Sequence, residues 1–230
     1  MTKKVRLVFD TETYGLKPDN IVFDIAWIVF NKKEQLTTRN YLVKETYQPN
    51  SLKSLPFYGE TKVAKYRTIE KTAEILNWTD ILTTLWNDLK EFSVSEVIAY
   101  NLPFDLEALQ RTNEYIRQRE FRIFNGLQLT DLYSVFCNFV KNRKDYVRFC
   151  IENNFISNAG NILTNAEVAY RFLTSNPYHL EEHTALSDVQ EELYIYQTIQ
   201  AKKKRYQMEA VSMPWKTVDY NTSNMAKRRK

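Results

Sequence analysis

The chain has 230 residues, with 4 Gly, 6 Pro and a net charge of +4, which excludes collagen-like and low-complexity proteins and favours one globular domain. It contains no run of about 18 apolar residues, so no membrane-spanning helix is predicted. The acidic residue Asp10 lies too close to the N-terminus for a signal peptide to be predicted. The chain has only two cysteines, Cys137 and Cys150. We therefore expect an intracellular, cytoplasmic protein whose cysteines act as small apolar side chains.

The first part of the chain is predicted to form three strands. They cover Val5–Phe9, Ile21–Phe30 and 37–44, where β-branched and aromatic residues are frequent. Lys32 and Lys33 lie in the short polar connection between the second and third strands, which predicts that these two strands pair antiparallel.

An irregular segment rich in aromatic and basic residues, 45–68, follows the third strand. Its lysines and its Arg67 could contact phosphates while its rings stack on bases, as a lid or a strand-guiding surface. The alternative is a mobile loop whose aromatic side chains dock on the body of the protein. After it, helical spacing over Ile69–Phe92 predicts a helix, with a possible break where Thr79 caps a second piece. The positions expected to be buried in this helix are Ile75, Ile81, Leu82, Leu85 and Leu89.

The second part of the chain is predicted to alternate strands and helices. A fourth strand, Glu96–Tyr100, precedes a helix over Phe104–Arg119, and a short fifth strand at Gln128–Leu129 precedes a helix that we expect Asp131 to cap. Strands followed by alternating helices and strands predict an α/β fold with a mixed sheet covered by helices. The remaining predicted helices are Lys144–Asn153, Asn165–Leu173 and Leu186–Lys202, the last with Val189, Leu193, Tyr196 and Ile199 on its apolar face.

Acidic residues follow the predicted strands at the edge where the chemistry of α/β sheets gathers. Asp10 and Glu12 follow the first strand, and the period-two alternation of a strand points both to the same face. Asp105 opens the helix after the fourth strand, and Asp188 lies near the start of the last helix. If the first and fourth strands are neighbours, four carboxylates converge, and a hard divalent cation would remove their repulsion. Taken singly, each could be an ordinary turn residue or a helix N-terminal charge.

One of only two histidines, His183, stands five residues before Asp188 in the stretch EEHTALSDVQEEL. A neutral imidazole there could take a proton from water at the site, because its unperturbed pKa lies near neutrality. A lone histidine is more often a surface or packed residue, but its occurrence together with the four carboxylates favours the catalytic interpretation.

Three stretches of the chain resemble the motifs of the DnaQ-like, DEDDh 3′–5′ exonucleases, a family that includes the proofreading epsilon-type enzymes. FDTETYGL is similar to D-x-E-T-T-G-L, YNLPFDLEAL to H/Y-N-x-x-F-D-x-x-x-L, and HTALSDV to H-x-A-x-x-D. The three occur in family order and span residues 9–189.

The resemblance implies an RNase H-like fold with a central five-stranded mixed sheet flanked by helices. It implies that Asp10, Glu12 and Asp188 hold two divalent cations, Mg²⁺ or Mn²⁺. It also implies that Asp105 binds the second ion or its water, and that His183 is the general base that activates the attacking water.

The resemblance further implies a set of contacts to the terminal nucleotide of a nucleic acid strand. Tyr14 stands where the family more often has a second Thr, which leaves the carboxylates intact and alters a local substrate contact. The implied contacts are Thr13, Tyr14 and Gly15 in the turn under the nucleotide, Leu16 against its base, and Asn101 and Phe104 beside the scissile nucleotide.

The activity implied is metal-dependent 3′–5′ hydrolysis of single-stranded DNA ends to nucleoside 5′-monophosphates, in proofreading or DNA turnover. The same chemistry on RNA stays open, since no single residue here reads the 2′-OH. A non-catalytic nucleic-acid-binding or polymerase accessory domain is the third possibility. Residues 1–206 would form the exonuclease domain, and 207–230 a basic, flexible tail that could bind a polymerase, since residues 201–230 hold nine Lys or Arg and two Asp or Glu.

Overall fold

A six-stranded mixed sheet forms the centre of the protein, as seen in a computed structural model that describes residues 4–15, 20–54, 59–70, 73–202 and 214–218. β1 pairs antiparallel with β2 and β2 with β3, whereas the β3–β4, β1–β5 and β5–β6 pairs are parallel. The α/β class, the antiparallel pairing and the neighbouring positions of β1 and β5 agree with the predictions. In spatial order β4-β3-β2-β1-β5-β6, the strands are β1 (Val5–Thr13), β2 (Val22–Phe30), β3 (Gln35–Val43), β4 (Glu74–Leu76), β5 (Val94–Ala99) and β6 (Gln128–Asp131).

Seven helices accompany the sheet within the described ranges, and side chains cap three of them. Asn77, Asp131 and Thr184 each accept a hydrogen bond from a backbone N–H in the first turn that follows. The predicted capping role of Asp131 is confirmed. The helices are α1 (Gly59–Ile69), α2 (Trp78–Glu91), α3 (Leu102–Arg117), α4 (Leu132–Val140), α5 (Lys144–Glu152), α6 (Ala166–Thr174) and α7 (Ala185–Ala201), with 3-10 turns at Pro49–Ser54 and Pro214–Val218.

Helices cover both faces of the sheet, so the core has two halves. Helices α2 and α3 pack on the face that carries Leu7 and Phe9, and α4 to α7 pack on the face that carries Val8. All nine residues of β2 are buried, as expected for a central strand covered on both sides. Because side chains alternate along β1, Asp10 and Glu12 lie on the same face as Val8, under α7.

The predicted helix over Ile69–Phe92 is wrong in its first third, and the predicted number of strands is one too low. The chain leaves α1 at Ile69, forms β4 against the end of β3, and begins α2 after Asn77, not at Thr79. Ile75, expected to be buried, is 45% exposed because β4 lies at the edge of the sheet. The other four predicted positions are buried: Ile81, Leu82, Leu85 and Leu89.

Both cysteines lie in the core and neither forms a disulfide. Burial raises the pKa of the Cys137 and Cys150 thiols to about 12, which keeps them neutral. The prediction that they act as small apolar side chains is confirmed.

Part of the segment expected to be a flexible tail, residues 214–218, forms a turn that contacts α4, with Val218 buried in the core. The rest of 207–230 lies outside the described residues, and the predicted polymerase contact of the tail falls there and stays a prediction. Among the helices that the structure describes, none is long and apolar enough to cross a membrane.

Candidate active site

Asp10 lies in a group of five carboxylates at the end of β1, of which Asp105 and Glu192 are buried and Asp10, Glu12 and Asp188 are partly buried. Burial raises the pKa of Asp10 well above its ordinary value, and the charges of Asp105, Glu192, Asp188 and Glu12 raise it further. The fold therefore brings the four acids expected from the sequence into one electrostatically coupled region.

Asp105 enters this region from the first turn of α3, which follows β5 directly. Its side chain is 3% exposed, and Thr11 Oγ1 donates a 2.7 Å hydrogen bond to its Oδ1. Burial raises the pKa of Asp105 to about 7, although the hydrogen bond from Thr11 lowers it. Thr11 thus fixes the orientation of this carboxylate between β1 and α3.

Helix α7 contributes two carboxylates, of which the sequence analysis identified only Asp188. Glu192 lies one helical turn further on the same face, is buried, and accepts a 3.1 Å hydrogen bond from Tyr100 N. Burial, and then the charge of Asp105, raises the pKa of Glu192 well above its ordinary value. The four-residue spacing from Asp188 is the signal that could have identified Glu192.

His183 lies in the loop just before α7 and has a positive φ of 55°, an uncommon backbone conformation for this residue type. Its Nδ1 is 3.6 Å from Glu181 Oε2. Burial and the charge of Lys62 lower the pKa of His183 to about 4, so its imidazole is neutral near pH 7. Glu181, which the sequence analysis missed, is therefore an acidic neighbour of the ring.

One set of three side chains in the described part of the chain converges closely enough to share a metal ion: Glu181, His183 and Asp188, whose ligand atoms all lie within 4.8 Å of one another. The charge of Asp188 raises the pKa values of Asp10 and Glu12, which links this set of three to the acids of β1.

A lysine from α1 reaches the same region. Lys62 is 7% exposed and forms an ion pair with Glu12, and its Nζ lies 5.9 Å from the centre of the Phe23 ring. Burial raises the pKa of Glu12 to about 8, although Lys62 lowers it. Lys62 thus places one positive charge against the buried acids.

Helix α1 is also anchored to β2 and to the start of α7 through Asp24. Asp24 Oδ2 accepts a hydrogen bond from Tyr66 OH and a 3.1 Å hydrogen bond from Ala185 N. Nearby, Lys65 Nζ donates a 2.6 Å hydrogen bond to Glu182 O. The described part of segment 45–68, predicted to be irregular, forms a 3-10 turn and helix α1, docks on the body through Tyr66, and brings Lys62 to the Glu12 carboxylate.

The structure describes five of the six predicted substrate contacts, and their role in binding a substrate stays a prediction. Thr13 Oγ1 donates a 2.9 Å hydrogen bond to Gly15 O, which supports the predicted turn, and Tyr14 packs on Phe23 with ring centres 4.7 Å apart. Leu16 lies outside the described residues. The other two predicted contacts begin α3: exposed Asn101 at its N-cap and half-buried Phe104 in its first turn.

No family model matches the chain, and no curated protein matches it. Among solved structures, it is similar to a full-length 3′-exonuclease, with a TM-score of 0.62 and 11% identity, over 93% of this chain and 66% of that chain. It is also similar to Exonuclease X in complex with 5′ overhanging duplex DNA, with a TM-score of 0.45 and 15% identity, over 88% and 96% of the two chains. The chain thus spans just under two thirds of the full-length 3′-exonuclease. It has the RNase H-like α/β fold of the full-length 3′-exonuclease structure, with six strands where five were predicted.

Proposed function

We propose that the protein is a metal-dependent 3′–5′ exonuclease that hydrolyses single-stranded DNA from its 3′ end and releases nucleoside 5′-monophosphates. The main support is the convergence of Asp10, Glu12, Asp105, Asp188 and His183 at the carboxyl ends of β1 and β5. The resemblance of the three sequence motifs supports the polarity and the release of single nucleotides.

The donor set fits Mg²⁺ or Mn²⁺, because carboxylate oxygens dominate it and these ions prefer oxygen ligands. Asp10, Glu12 and Asp188 would hold the ions, with Asp105 contributing to the second. Burial and neighbouring acids raise the pKa values of Asp10, Asp105 and Asp188, so bound cations would favour the charged forms of these carboxylates. When bound, such cations would neutralise charge on the phosphate and make water more acidic.

Side chains of the protein itself would activate the water and position the substrate. Neutral His183 would accept a proton from the attacking water. Thr11 keeps Asp105 in place, and Asn101 and Phe104 would contact the nucleotide at the start of α3.

The proposal is tested with matched DNA and RNA oligonucleotides labelled at either the 5′ or the 3′ end, in Mg²⁺, Mn²⁺ or chelator. We expect shortening of single-stranded DNA from the 3′ end, nucleoside 5′-monophosphates as products, and no cleavage in chelator. Faster cleavage of RNA would identify an exoribonuclease instead. Binding of the strands without cleavage under every condition would identify an accessory domain.

The buried acids also predict how the stability of the metal-free protein depends on pH. The pKa of Asp105 is raised to about 7 and that of Glu12 to about 8, so the folded state binds these protons more tightly than the unfolded chain. The free energy of unfolding in chelator should therefore fall as the pH rises from about 5 to about 8. Melting temperatures measured across this range with and without Mn²⁺ test this, and added Mn²⁺ should stabilise most at the upper end. A melting temperature in chelator that rises across the range would contradict it.

Lys62 is expected to compete with a divalent cation for Glu12, because both bring positive charge to the same carboxylate. Replacing Lys62 with Met should therefore tighten Mn²⁺ binding by about tenfold, the effect of about 1.4 kcal/mol of lost repulsion. Isothermal titration calorimetry with Mn²⁺ measures this directly. The control is Lys65→Met, since Lys65 bonds a backbone carbonyl instead of a carboxylate. Weaker Mn²⁺ binding by Lys62→Met would show that the lysine organises Glu12 for the metal.

A further inference from the structure

A pocket of about 370 Å³ opens beside the candidate active site, between the end of β5 and the start of α6. Every residue that lines it is uncharged, which sets it apart from the acidic region next to it. A neutral lining disfavours a phosphate or a metal ion as the occupant and favours a neutral group. Its rings and amides belong to Tyr100, Tyr133, Trp215, Asn101, Asn161 and Asn165.

The three aromatic rings form an ordered stack. Tyr100 and Tyr133 stack with ring centres 5.4 Å apart, and Tyr133 and Trp215 with centres 6.5 Å apart and planes 13° from parallel. The hydroxyls of both tyrosines are hydrogen bonded to Thr164, to its carbonyl and its Oγ1 respectively, which fixes their rings. Trp215 is the outer member and is 38% exposed. A planar ligand could therefore stack on rings that are already held in place.

The asparagines add hydrogen-bonding capacity that the fold does not use. Asn101 and Asn165 occupy the N-cap positions of α3 and α6, yet neither side chain makes the capping hydrogen bond usual for this residue. Each amide keeps a donor and an acceptor for a ligand in the pocket. Flat rings beside free amides are the combination with which proteins bind unstacked nucleobases.

The pocket adjoins the carboxylates through one residue. The Tyr100 ring belongs to the pocket, while the Tyr100 N–H donates to Glu192, which is coupled to Asp10 and Asp105. A strand held at the carboxylates would therefore pass close to the pocket.

We propose that this pocket binds a base of the substrate strand, upstream of the bond that is cleaved, and that Trp215 stacks on that base. The identity of the occupant as a nucleic acid strand rests on the proposed function. Strand binding measured in chelator does not depend on hydrolysis and therefore tests the pocket separately.

The test is fluorescence anisotropy of a 5′-labelled single-stranded oligonucleotide in chelator. Trp215→Ala should bind about tenfold more weakly than the wild type, in the range measured for loss of one base stack, while Trp215→Phe should keep most of the affinity. The matched control is Trp86→Ala, because Trp86 is a similarly exposed tryptophan on α2, on the other side of the sheet. It should bind like the wild type, and melting temperatures of all variants report whether each is folded.

A scan with single abasic nucleotides locates the base. At one position, an abasic nucleotide should weaken strand binding by the wild type about as much as Trp215→Ala weakens binding of the intact strand. The same abasic strand should bind to Trp215→Ala no more weakly than the intact strand does. Unchanged binding by Trp215→Ala, additive losses at every position, or a free mononucleotide that binds as tightly as the strand would each overturn the proposal.

The proposed function and the pocket can fail separately. If the wild type binds strands without cleaving them and Trp215→Ala loses this binding, the pocket proposal stands and the exonuclease proposal fails. If Trp215→Ala cleaves strands with an unchanged KM, the exonuclease proposal stands and the pocket proposal fails. If the wild type neither binds nor cleaves any strand, both proposals fail.

Discussion

Replacing Asp10 with Asn is expected to lower the rate of 3′-end hydrolysis by about a thousandfold. A divalent cation contributes several kcal/mol to stabilising the charge of a phosphoryl transition state, and each 1.36 kcal/mol corresponds to about tenfold in rate. Burial and the charges of Asp105, Glu192, Asp188 and Glu12 all raise the pKa of Asp10, so the loss of its carboxylate should disturb every ion held there. Single-turnover cleavage of an end-labelled oligonucleotide in Mg²⁺ measures the effect.

The melting temperature of the same variant reports whether it is folded. Because burial and four neighbouring acids disfavour the charged Asp10 carboxyl, Asp10→Asn should raise the melting temperature in chelator near pH 8 while it removes activity. Asp145→Asn is the matched control, since Asp145 is exposed and pairs with Arg143 outside the site. An Asp10→Asn protein that cleaves at the wild-type rate would disprove the assignment, whatever its stability.

Replacing His183 with Asn is expected to slow hydrolysis by about a hundredfold to ten-thousandfold, the usual contribution of a positioned general base. Asn cannot take up the proton of the attacking water, whereas the neutral imidazole can. Strand binding in chelator should change little, so the loss should appear in the single-turnover rate and not in affinity.

The second histidine of the chain provides the control for this experiment. His179 bonds Glu191 at 2.6 Å and packs on Tyr170, away from the buried acids of β1. His179→Asn should keep the activity within about twofold, because the half-buried His179 ring bonds Glu191 and none of the residues proposed to hold the metal or activate the water. Equal losses in both variants would argue for a structural role of this loop and against base catalysis by His183.

The features of the site that follow from local sequence were predictable. Asp10 and Glu12 share a face because a strand repeats every two residues, and Asp105 comes beside them because β5 is the parallel neighbour of β1. The fold class followed in the same way from the order of strands and helices. The three-residue strand β4 was missed because it is too short to show a period and adjoins a sequence with helical spacing.

The residues that the sequence analysis missed depend on tertiary contacts. Glu192 and Glu181 read as ordinary charges of a solvated helix and loop, whereas the fold buries Glu192 and partly buries Glu181. The pairing of Lys62 with Glu12 could not be predicted, because Glu12 lies fifty residues earlier and the two side chains meet only when α1 packs on the sheet. Asp24 interrupts an apolar strand, and its role appears only when α1 and α7 both reach it.

The double hydrogen bond at Asp24 has a consequence for how sequences related to this one can diverge. A single carboxylate oxygen accepts from Tyr66 in α1 and from the backbone of Ala185 in α7, so neither helix can change its position at this point alone. A homologue with Phe in place of Tyr66 would leave a buried acid with one donor fewer, and selection should then favour Asn or Ser at position 24. Covariation between positions 24 and 66 is therefore expected across an alignment of homologues.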